Sequence, residues 1–378
     1  MDLSRRKTLA ILGGGTIIAA TAASVAYLTT REPTSALAPW DLAGDYDDPR
    51  VRHLSYAILA PNPHNRQPWL VDLDEPGRAT LYVDTDRLLP HTDPFNRQIT
   101  IGLGCFLGLL EMAAAQDGQG LVIDLFPQGE EASGLDGRPI ATIEWQGEAA
   151  PDPLFAHVMA RRSTKEPYDM SRPVDAAVLS RILEAAPGSA GTVAPIEIDA
   201  MRALTEEALV IEVETPRTYK ESVDLFRIGK AEVNANPDGI DFSGAMFDTM
   251  GGLGLFTRET AMDTTSSAFQ QGMAAVVENA RTAMGYIWQT SATNTRRDQI
   301  EAGRGWLRIN LACTAAGVAT QPLSQALQEY PEMAALYDQL HMRLAPDGGT
   351  VQMLGRIGYT EPVPPSPRWP IDAVVVNA

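Results

Sequence analysis

The feature that most constrains this chain is a sequence pattern that occurs twice. Residues 54–73 read as a helix, an Ala-Pro turn and a strand, and residues 178–199 follow the same order, so that Ala60-Pro61 matches Ala186-Pro187. Hydrophobic periodicity is the main signal of secondary structure, and an order that recurs along a chain indicates repeated structural units. We therefore predict two similar halves.

Each half also carries one long helical pattern. The segment "FNRQITIGLGCFLGLLEMAAAQDG" of the first half is echoed by "RRDQIEAGRGWLRINLACTAAGV" of the second, with a shared Gln-Ile pair and with Gly102 matched to Gly303. Strand-like segments with period-two alternation flank the first of these helices, near 79–85, 120–126 and 139–145. This mixture of helices and hairpin-like strands predicts an α+β fold.

The first half spans 45–150 and the second 151–378, and the second is longer because of an insertion at about 210–292. The insertion reads as helices around a glycine-rich middle, "GGLG", which is too weak a signal for a dinucleotide site. Segments this long in compact domains are often lids or binding elements. A surface insertion without a role is the alternative.

The loop "PNPHNRQPW", residues 61–69, is unusually stiff and polar. Its prolines, Pro61, Pro63 and Pro68, fix their own φ angles and restrict the residues before them. One interpretation is a loop that holds hydrogen-bonding groups at fixed angles. The other is an ordinary turn that leads into a strand, with Trp69 in the core.

A cationic segment, "RRSTKEPYD" at 161–169, lies between the halves. Two guanidiniums, two hydroxyls and an ammonium within five positions can make several charge-assisted hydrogen bonds to one phosphate. A solvated basic patch before a turn is the alternative. The sequence therefore offers one candidate phosphate site and one stiff loop.

These two segments, a late "GRIGY" and a terminal "PRWPIDAV" resemble the nitroreductase superfamily of FMN-binding flavoproteins. The duplicated order resembles its Acg-like branch, in which one chain carries two nitroreductase-like halves. The resemblance runs from about residue 50 to the C-terminus. It implies a nitroreductase-like α+β fold in which the two halves form an internal pseudo-dimer, with FMN bound between them.

The resemblance also implies residue roles. Arg161, Ser163, Lys165 and Arg368 would bind the phosphate, and Pro61, Asn62, Pro63 and Asn65 would face the ring and the ribityl chain. Gln67 would reach the flavin or brace the loop, and Thr320 and Gln321 would lie near the flavin N5 as weaker candidates. No side-chain catalytic residue is implied, and His64 is a weak candidate for an acid.

Two departures from the family pattern are informative. The first half has no arginine-serine motif before its loop, whereas the corresponding loop of the second half, "APGSAGTVAP", lacks the asparagines, glutamine and tryptophan. The two halves thus keep complementary parts, and we predict one FMN per polypeptide. Ser366 stands where many relatives place a lysine, which leaves Arg368 as the cation of that tail motif.

Residues 1–38 form a separate region. A basic start, Arg5 to Lys7, precedes an uncharged run from Thr8 to Thr30, as in an export signal or a membrane anchor. "SRRKTL" resembles the twin-arginine export motif, whose substrates cross the membrane already folded. "SALA" at 35–38 offers small residues for cleavage, so both a cleaved signal and a retained anchor remain open. We expect an exported, periplasmic or otherwise extracytoplasmic protein.

The composition of the chain limits the classes of partner and ligand that it is expected to bind. A formal charge of −18 argues against nucleic acid, whose recognition depends on Lys and Arg. Cys105 and Cys313 lie far apart in apolar patterns, so we expect buried thiols, and the spacing of the histidines predicts no metal site.

The expected activity is a nitroreductase-type transfer of electrons from an unidentified donor to a small quinone- or nitroaromatic-like acceptor. Export favours a membrane quinol or a redox protein as the donor over NAD(P)H. The alternative is a protein that stores or shields FMN beneath a lid and turns over little. An internal pseudo-dimer is compatible with a monomeric chain.

Overall fold

The computed structural model describes residues 30–130 and 133–377. The twin-arginine motif predicted at Ser4, Arg5, Arg6 and Leu9 lies outside the described residues. Within the described part, helices and mainly antiparallel sheets alternate along the chain, so the predicted α+β class is confirmed.

The first half builds a sheet with the strand order β11-β1-β2-β4-β3. Helix α1 (Thr34–Asp41) and helix α2 (Pro49–Ala57) precede the sheet, and the long helix α3 (Arg97–Gln116) crosses from β2 to β3. Neighbouring strands pair antiparallel except β11, which comes from the C-terminus and pairs parallel with β1. The strands are β1 (Trp69–Asp72), β2 (Arg78–Val83), β3 (Gln119–Leu125), β4 (Ala141–Glu148) and β11 (Val375–Asn377).

The second half builds a sheet with the order β5-β8-β10-β9. Counted within its own half, this order repeats β1-β2-β4-β3, and all its pairs are antiparallel. Helix α4 (Ala176–Leu183) occupies the place of α2, and α11 (Arg296–Ala315) occupies the place of α3. The two halves therefore share one topology. The strands are β5 (Ser189–Thr192), β8 (Gly285–Ser291), β9 (Ala319–Pro322) and β10 (Thr350–Gly358), and α12 (Ala334–Leu344) precedes β10.

Helices α3 and α11 pack directly against each other at the centre of the molecule. A Cβ on Gly104 would collide with the carbonyl oxygen of Ile300, and a Cβ on Gly303 would collide with the carbonyl oxygen of Ile101. The contact is reciprocal, so Gly104 corresponds to Gly303. This corrects the sequence match of Gly102 with Gly303, because close backbone approach, which sequence identity does not show, fixes the register.

The added segment of the second half lies between β5 and β8, at 193–284, where the first half has only residues 73–77 between β1 and β2. Since β8 is an inner strand of its sheet, the insertion ends before it rather than at about 292. Its elements are α5 (Pro195–Glu214), α6 (Pro216–Asp224), β6 (Phe226–Ile228), α7 (Gly229–Ala235), β7 (Ile240–Phe242), α8 (Ala245–Gly252), α9 (Arg258–Met262) and α10 (Ser267–Arg281).

One expected strand is a helix. The "IEID" segment matched to β1 lies in the first turns of α5, because Pro195 at the first helical position favours a helix start. The strand that corresponds to β1 is the preceding "SAGT".

The main core surrounds α3 and α11. Cys105 and Cys313 are both buried free thiols there, as expected, and burial raises the pKa of each to about 12. Within the described part of the chain, α3 is the one helix long and apolar enough to cross a membrane, and most of it is buried inside the fold. Its apolar character is therefore explained by its central position.

Candidate functional site

The loop that follows α2 is strained. His64, Asn65 and Gln67 all have left-handed backbone conformations, with φ angles of 48°, 53° and 50°. Such angles cost residues other than glycine on the order of 1 kcal/mol each, and they persist where the surroundings hold them. The loop packs directly on α3, since a Cβ on Gly102 would lie 3.1 Å from Asn62 Cβ and from Pro63 Cδ.

Gln67 holds this loop in place. Its side chain is fully buried and donates from Nε2 to the carbonyl oxygen of Pro237, 2.7 Å away, in the insertion. Its Oε1 accepts from the backbone N–H of Trp369 in the C-terminal tail, at 2.8 Å. Asn62 Oδ1 accepts from the Gln67 backbone N–H at 2.7 Å. Gln67 therefore braces the loop between two distant segments.

The C-terminal tail brings Arg368 to the start of the same loop. Its guanidinium donates to Asn65 Oδ1 at 2.7 Å and to the carbonyl oxygens of Leu59 and Ala60 at 3.1 and 3.3 Å. The side chain is buried, and its Nε has no acceptor among the described residues. Burial, together with the nearby Arg161 and Arg162, holds the pKa of Arg368 well below its usual range.

Arg161 reaches the same carbonyl from the segment between the halves. Its Nη2 donates to the Leu59 oxygen at 3.1 Å, so two buried guanidiniums share one acceptor. Burial and the adjacent Arg162 lower the pKa of Arg161 to about 10. We call Arg161, Arg162 and Arg368 the cation cluster.

The described residues place no carboxylate within salt-bridge distance of any member of the cation cluster. Buried cations that lack a counter-charge are costly unless an anion pairs with them. This cluster therefore has the electrostatic character of an anion-binding site.

Ser163 and Lys165 are exposed, and their side-chain polar atoms have no hydrogen-bond partner among the described residues. Protein atoms nevertheless surround the Lys165 ammonium, and this burial lowers its pKa, an effect that Asp241 and Glu212 partly oppose. We call the surroundings of the Lys165 ammonium the cleft. Both residues thus remain available for a ligand.

His64 lies close enough to Lys165 for the two charges to interact. Burial, followed by the charges of Lys165 and Arg66, lowers its pKa to about 4. The imidazole is therefore neutral at pH 7 and adds no charge beside Lys165.

Thr320 and Gln321, expected near the flavin, lie on β9, which is hydrogen-bonded to the cationic segment. The Thr320 carbonyl oxygen accepts from the Thr164 backbone N–H at 2.9 Å, and Gln321 Oε1 accepts from Arg356 Nε at 2.6 Å. Both residues therefore help to position the cationic segment.

Arg356 was not singled out as a site residue by the sequence. It is fully buried and donates to the carbonyl oxygen of Glu166 at 2.7 Å, and its guanidinium lies 3.8 Å from the Tyr168 ring centroid. The "GRIGY" motif that contains it was the available signal.

Helix α1 also contributes, which sequence patterns did not indicate. The Trp40 ring lies under two members of the cation cluster, 4.9 Å from the Arg162 guanidinium and 5.5 Å from that of Arg368. Trp40 Nε1 donates to the Ser366 carbonyl oxygen at 2.8 Å, and the Arg368 backbone N–H donates to the Ala36 oxygen at 2.8 Å. An aromatic face stabilises cations without neutralising them.

The insertion closes one side of the loop. Arg66 pairs with Asp238 at 2.5 Å, and Arg227 pairs with the same carboxylate at 2.8 Å. The Gly239 backbone N–H donates to the Asn65 oxygen at 3.3 Å. Residues 236–239 are thus fixed to the loop by buried polar contacts.

Comparisons with known proteins give distant relatives. No family model matches the chain. Rv3131 of Mycobacterium tuberculosis, provisionally named an NAD(P)H nitroreductase, is 25% identical over 338 residues, which cover 85% of this chain and 89% of the relative. The protein acg of the same organism, provisionally named likewise, is 24% identical over 334 residues, with 84% and 92% covered.

Two solved structures are also similar. One is provisionally described as a nitroreductase from Anabaena variabilis, with a TM-score of 0.39 and 12% identity over 80% of this chain and 82% of that one. The other is the FMN- and NADPH-dependent nitroreductase NfnB from Sphigopyxis sp. strain HMH, with a TM-score of 0.37 and 16% identity over 59% and 98%. Because these identities and TM-scores are low, what the names say applies to those proteins and not to this chain.

Proposed function

We propose that this protein is an FMN-dependent oxidoreductase of the nitroreductase type with one flavin per chain. The observation that carries the proposal is the cation cluster, which joins segments about two hundred residues apart and has no carboxylate partner in the described part of the chain. FMN combines one phosphate with one flat ring, which suits a cationic pocket beside a stiff loop. The names of Rv3131 and acg support the same class.

The residues present fit the phosphate. Arg368 Nε is a buried donor that lacks an acceptor among the described residues, and a phosphate oxygen would supply one. Ser163 and Lys165, which follow Arg161 in the same short segment, would add an accessible hydroxyl and ammonium. Arg161 completes a set that can bind several oxygens of one phosphate group.

The loop would hold the ring. The side chains of Asn62, Asn65 and Gln67 are engaged in hydrogen bonds within the protein. We therefore assign the ring contacts to the backbone of the loop, including that of Asn62, and to Pro61 and Pro63. A loop already fixed in shape loses little entropy when it binds a ligand.

Bound FMN supplies the redox chemistry, which is the acceptance and transfer of a hydride or of electrons. The residues of this chain bind the phosphate, orient the ring and limit the access of water. His64 leaves the cleft uncharged at its position, because its pKa of about 4 keeps it neutral.

We propose a quinone- or nitroaromatic-like small molecule as the acceptor. The names of the relatives point to NAD(P)H as the donor. The formal charge of −18, however, disfavours the approach of a free anionic nucleotide to this protein. Together with the export-like N-terminus, this favours a membrane quinol or a redox protein.

A flavin-shielding role is the second candidate. Buried hydrogen bonds and ion pairs fix residues 236–239 of the insertion to the loop, as expected for a closed lid. Such a protein would retain FMN and turn over little.

The first experiment is to quantify the flavin released per chain from purified protein, for the wild type and for Arg161→Ala and Arg308→Ala. Arg308 donates to the carbonyl of Ala185, the position that corresponds to Leu59, but it is paired with Asp152. We expect about one FMN in the wild type and in Arg308→Ala, and loss of flavin in Arg161→Ala. Equal occupancy in all three would refute the assignment of the phosphate site.

Reoxidation of the reduced, flavin-loaded protein then separates the two candidates. Rapid turnover with soluble quinones or nitroaromatics, reduced by NADH, NADPH or a quinol, supports the enzyme and identifies its donor. A flavin that none of these compounds reduces or reoxidises supports the shielding role.

We further propose that residues 1–38 direct twin-arginine export and that the apolar run is retained as a membrane anchor. The possible cleavage segment at 35–38 lies inside α1, where Ala36 is buried and its backbone bonds to Asn234 and to Arg368. A protein exported in folded form would present this segment as a packed helix.

A further inference from the structure

Exposed apolar side chains cluster on one surface of the insertion. Met246, Leu253 and Leu255 are 60%, 68% and 59% exposed. They lie on α8 and in the turn that follows it, "MGGLGLF". The opposite side of this element is anchored, because Phe247 and Met250 pack with Phe226 and Phe242 in a small core. We call Met246, Leu253 and Leu255 the apolar patch.

The apolar patch lies beside the point where the N-terminal apolar run meets the folded protein. The described chain starts at Thr30, the last residue of the uncharged run of residues 8–30. Lys230 Nζ donates to the Thr30 carbonyl oxygen at 2.9 Å, and Arg31 lies 3.9 Å from Asp248 on α8. The chain therefore leaves the fold on the element that carries the patch.

Only residues 31–33 separate the uncharged run from helix α1, so the run and the folded protein cannot lie far apart. Helix α1 begins at Thr34, and Ala36 is already bonded to Asn234 of α7 and to the C-terminal tail. A run of about 20 apolar residues is long enough to span a bilayer. If it spans one, the membrane surface lies within a few residues of α8.

We propose that the apolar patch docks on the lipid bilayer beside this anchor and turns the cleft toward lipid-soluble quinones. The cleft is near, because Asp241 on β7, which influences Lys165, precedes α8 by only a few residues. Exposed leucines in a glycine-rich turn can enter the headgroup region, whereas the formal charge of −18 disfavours attraction to anionic lipid. The quinone part of this inference rests on the proposed oxidoreductase function.

The test places single cysteines in the full-length chain, reconstituted in lipid nanodiscs. Leu255→Cys probes the patch, and Met342→Cys, 71% exposed on α12, is the matched control. The native thiols are both buried, so an environment-sensitive fluorophore labels the new sites. We expect nitroxides on the lipid acyl chains to quench the label at 255 severalfold more than the label at 342. Equal quenching would overturn the docking surface.

Turnover provides an independent readout. The double variant Leu253→Asp, Leu255→Asp should lower the rate with a quinone confined to the bilayer about tenfold and leave the rate with a water-soluble quinone unchanged. Met342→Asp should change neither rate. An unchanged rate with the confined quinone would contradict the proposal. If no quinone is turned over at all, the oxidoreductase function fails, and the quenching experiment still decides whether the patch meets the membrane.

Discussion

The loops that follow α2 and α4 occupy corresponding places in the two halves, yet they differ in backbone and in charge. In the first loop, His64, Asn65 and Gln67 adopt left-handed conformations. The second loop has one positive φ angle, 78° at Gly188, which glycine adopts at no steric cost. Strain maintained by buried contacts is thus confined to the first loop. That difference supports the proposal that the first loop holds the flavin.

The two loops also differ in whether the arginines around them are paired with carboxylates. Arg161 and Arg368 donate to the carbonyl of Leu59 without a carboxylate partner in the described chain. Arg308 donates to the corresponding carbonyl of Ala185 at 2.7 Å, but it is paired with Asp152. The two arginines at the first carbonyl are therefore without a carboxylate partner in the described chain, whereas the one at the second carbonyl is neutralised.

The second loop also borders a groove of about 620 Å³ between α3 and α11. Its other cation, Arg304, is paired with Glu111 at 3.0 Å and with Glu301. Space alone does not make an anion site, because the cations of this groove are already neutralised. The comparison teaches that unpaired charge distinguishes the two halves, and it predicts a single flavin per chain.

The largest expected effect is on the packing that holds the two loops in one molecule. Gly303→Ala should lower the free energy of unfolding by about 3 kcal/mol, because its Cβ would collide with the Ile101 carbonyl at the helix crossing. Chemical denaturation measures this change. Gly305→Ala on the same helix is the control, since its Cβ would meet side chains, the Gln289 amide and Ala186 Cβ at an ordinary 3.5 Å, rather than backbone. Equal stability of the two variants would contradict the reciprocal contact.

Removing the brace should weaken only the first loop. Gln67→Ala leaves the Pro237 carbonyl and the Trp369 N–H without a partner, and we expect a loss of about 2–3 kcal/mol of stability together with weaker flavin retention. Thermal unfolding with and without FMN reports both effects. The surface variant Gln146→Ala should change the stability by less than about 0.5 kcal/mol. A stable Gln67→Ala with full flavin would show that the loop holds its own shape.

The pH dependence of stability should reveal Glu212. Burial raises its pKa to about 7 in the folded protein. Between about pH 4.5 and 7 the folded state binds more protons than the unfolded state, so the free energy of unfolding falls as the pH rises, by up to about 3 kcal/mol from this group. Glu212→Gln should flatten the curve in that window. Parallel wild-type and variant curves would contradict the assignment.

Lys165→Ala tests the difference in charge between the two loops. Loss of one charge-assisted bond to the phosphate should weaken FMN binding by about 10- to 100-fold, measured by titration of apoprotein. Arg304→Ala, at the second loop, should leave the affinity unchanged because Arg304 is already paired. If both variants weaken binding equally, the second loop also contributes to flavin binding.

Local patterns predicted much of the fold. The two long helices, the strand pattern of the first half and the stiff loop at Pro61 to Pro68 follow from hydrophobic period and proline geometry, which act over a few residues. The register of the two helices was placed two residues away, and β8 was assigned to the insertion. Both errors have one cause, since backbone contact between distant segments decides these features.

The candidate site was predictable in its parts but not in its assembly. Arg161, Lys165 and Arg368 were identified from their motifs, whereas Arg356 and Trp40 were not. Their roles depend on what they contact: Arg356 binds the carbonyl of Glu166, and Trp40 lies under two guanidiniums. A tryptophan near a signal-like segment offers no local sign of such a contact.

By itself, the sequence determined the repeated order of elements, the stiffness of the first loop and the supply of cations, because these properties reside in single residues and short spacings. The tertiary structure alone decided which cations remain without a partner. Arg161 and Arg368 meet at the Leu59 carbonyl, away from any carboxylate among the described residues, while Arg304 and Arg308 meet Glu111 and Asp152. Coulombic pairing acts through distance in space, and only folding sets the distance between residues so far apart in the chain.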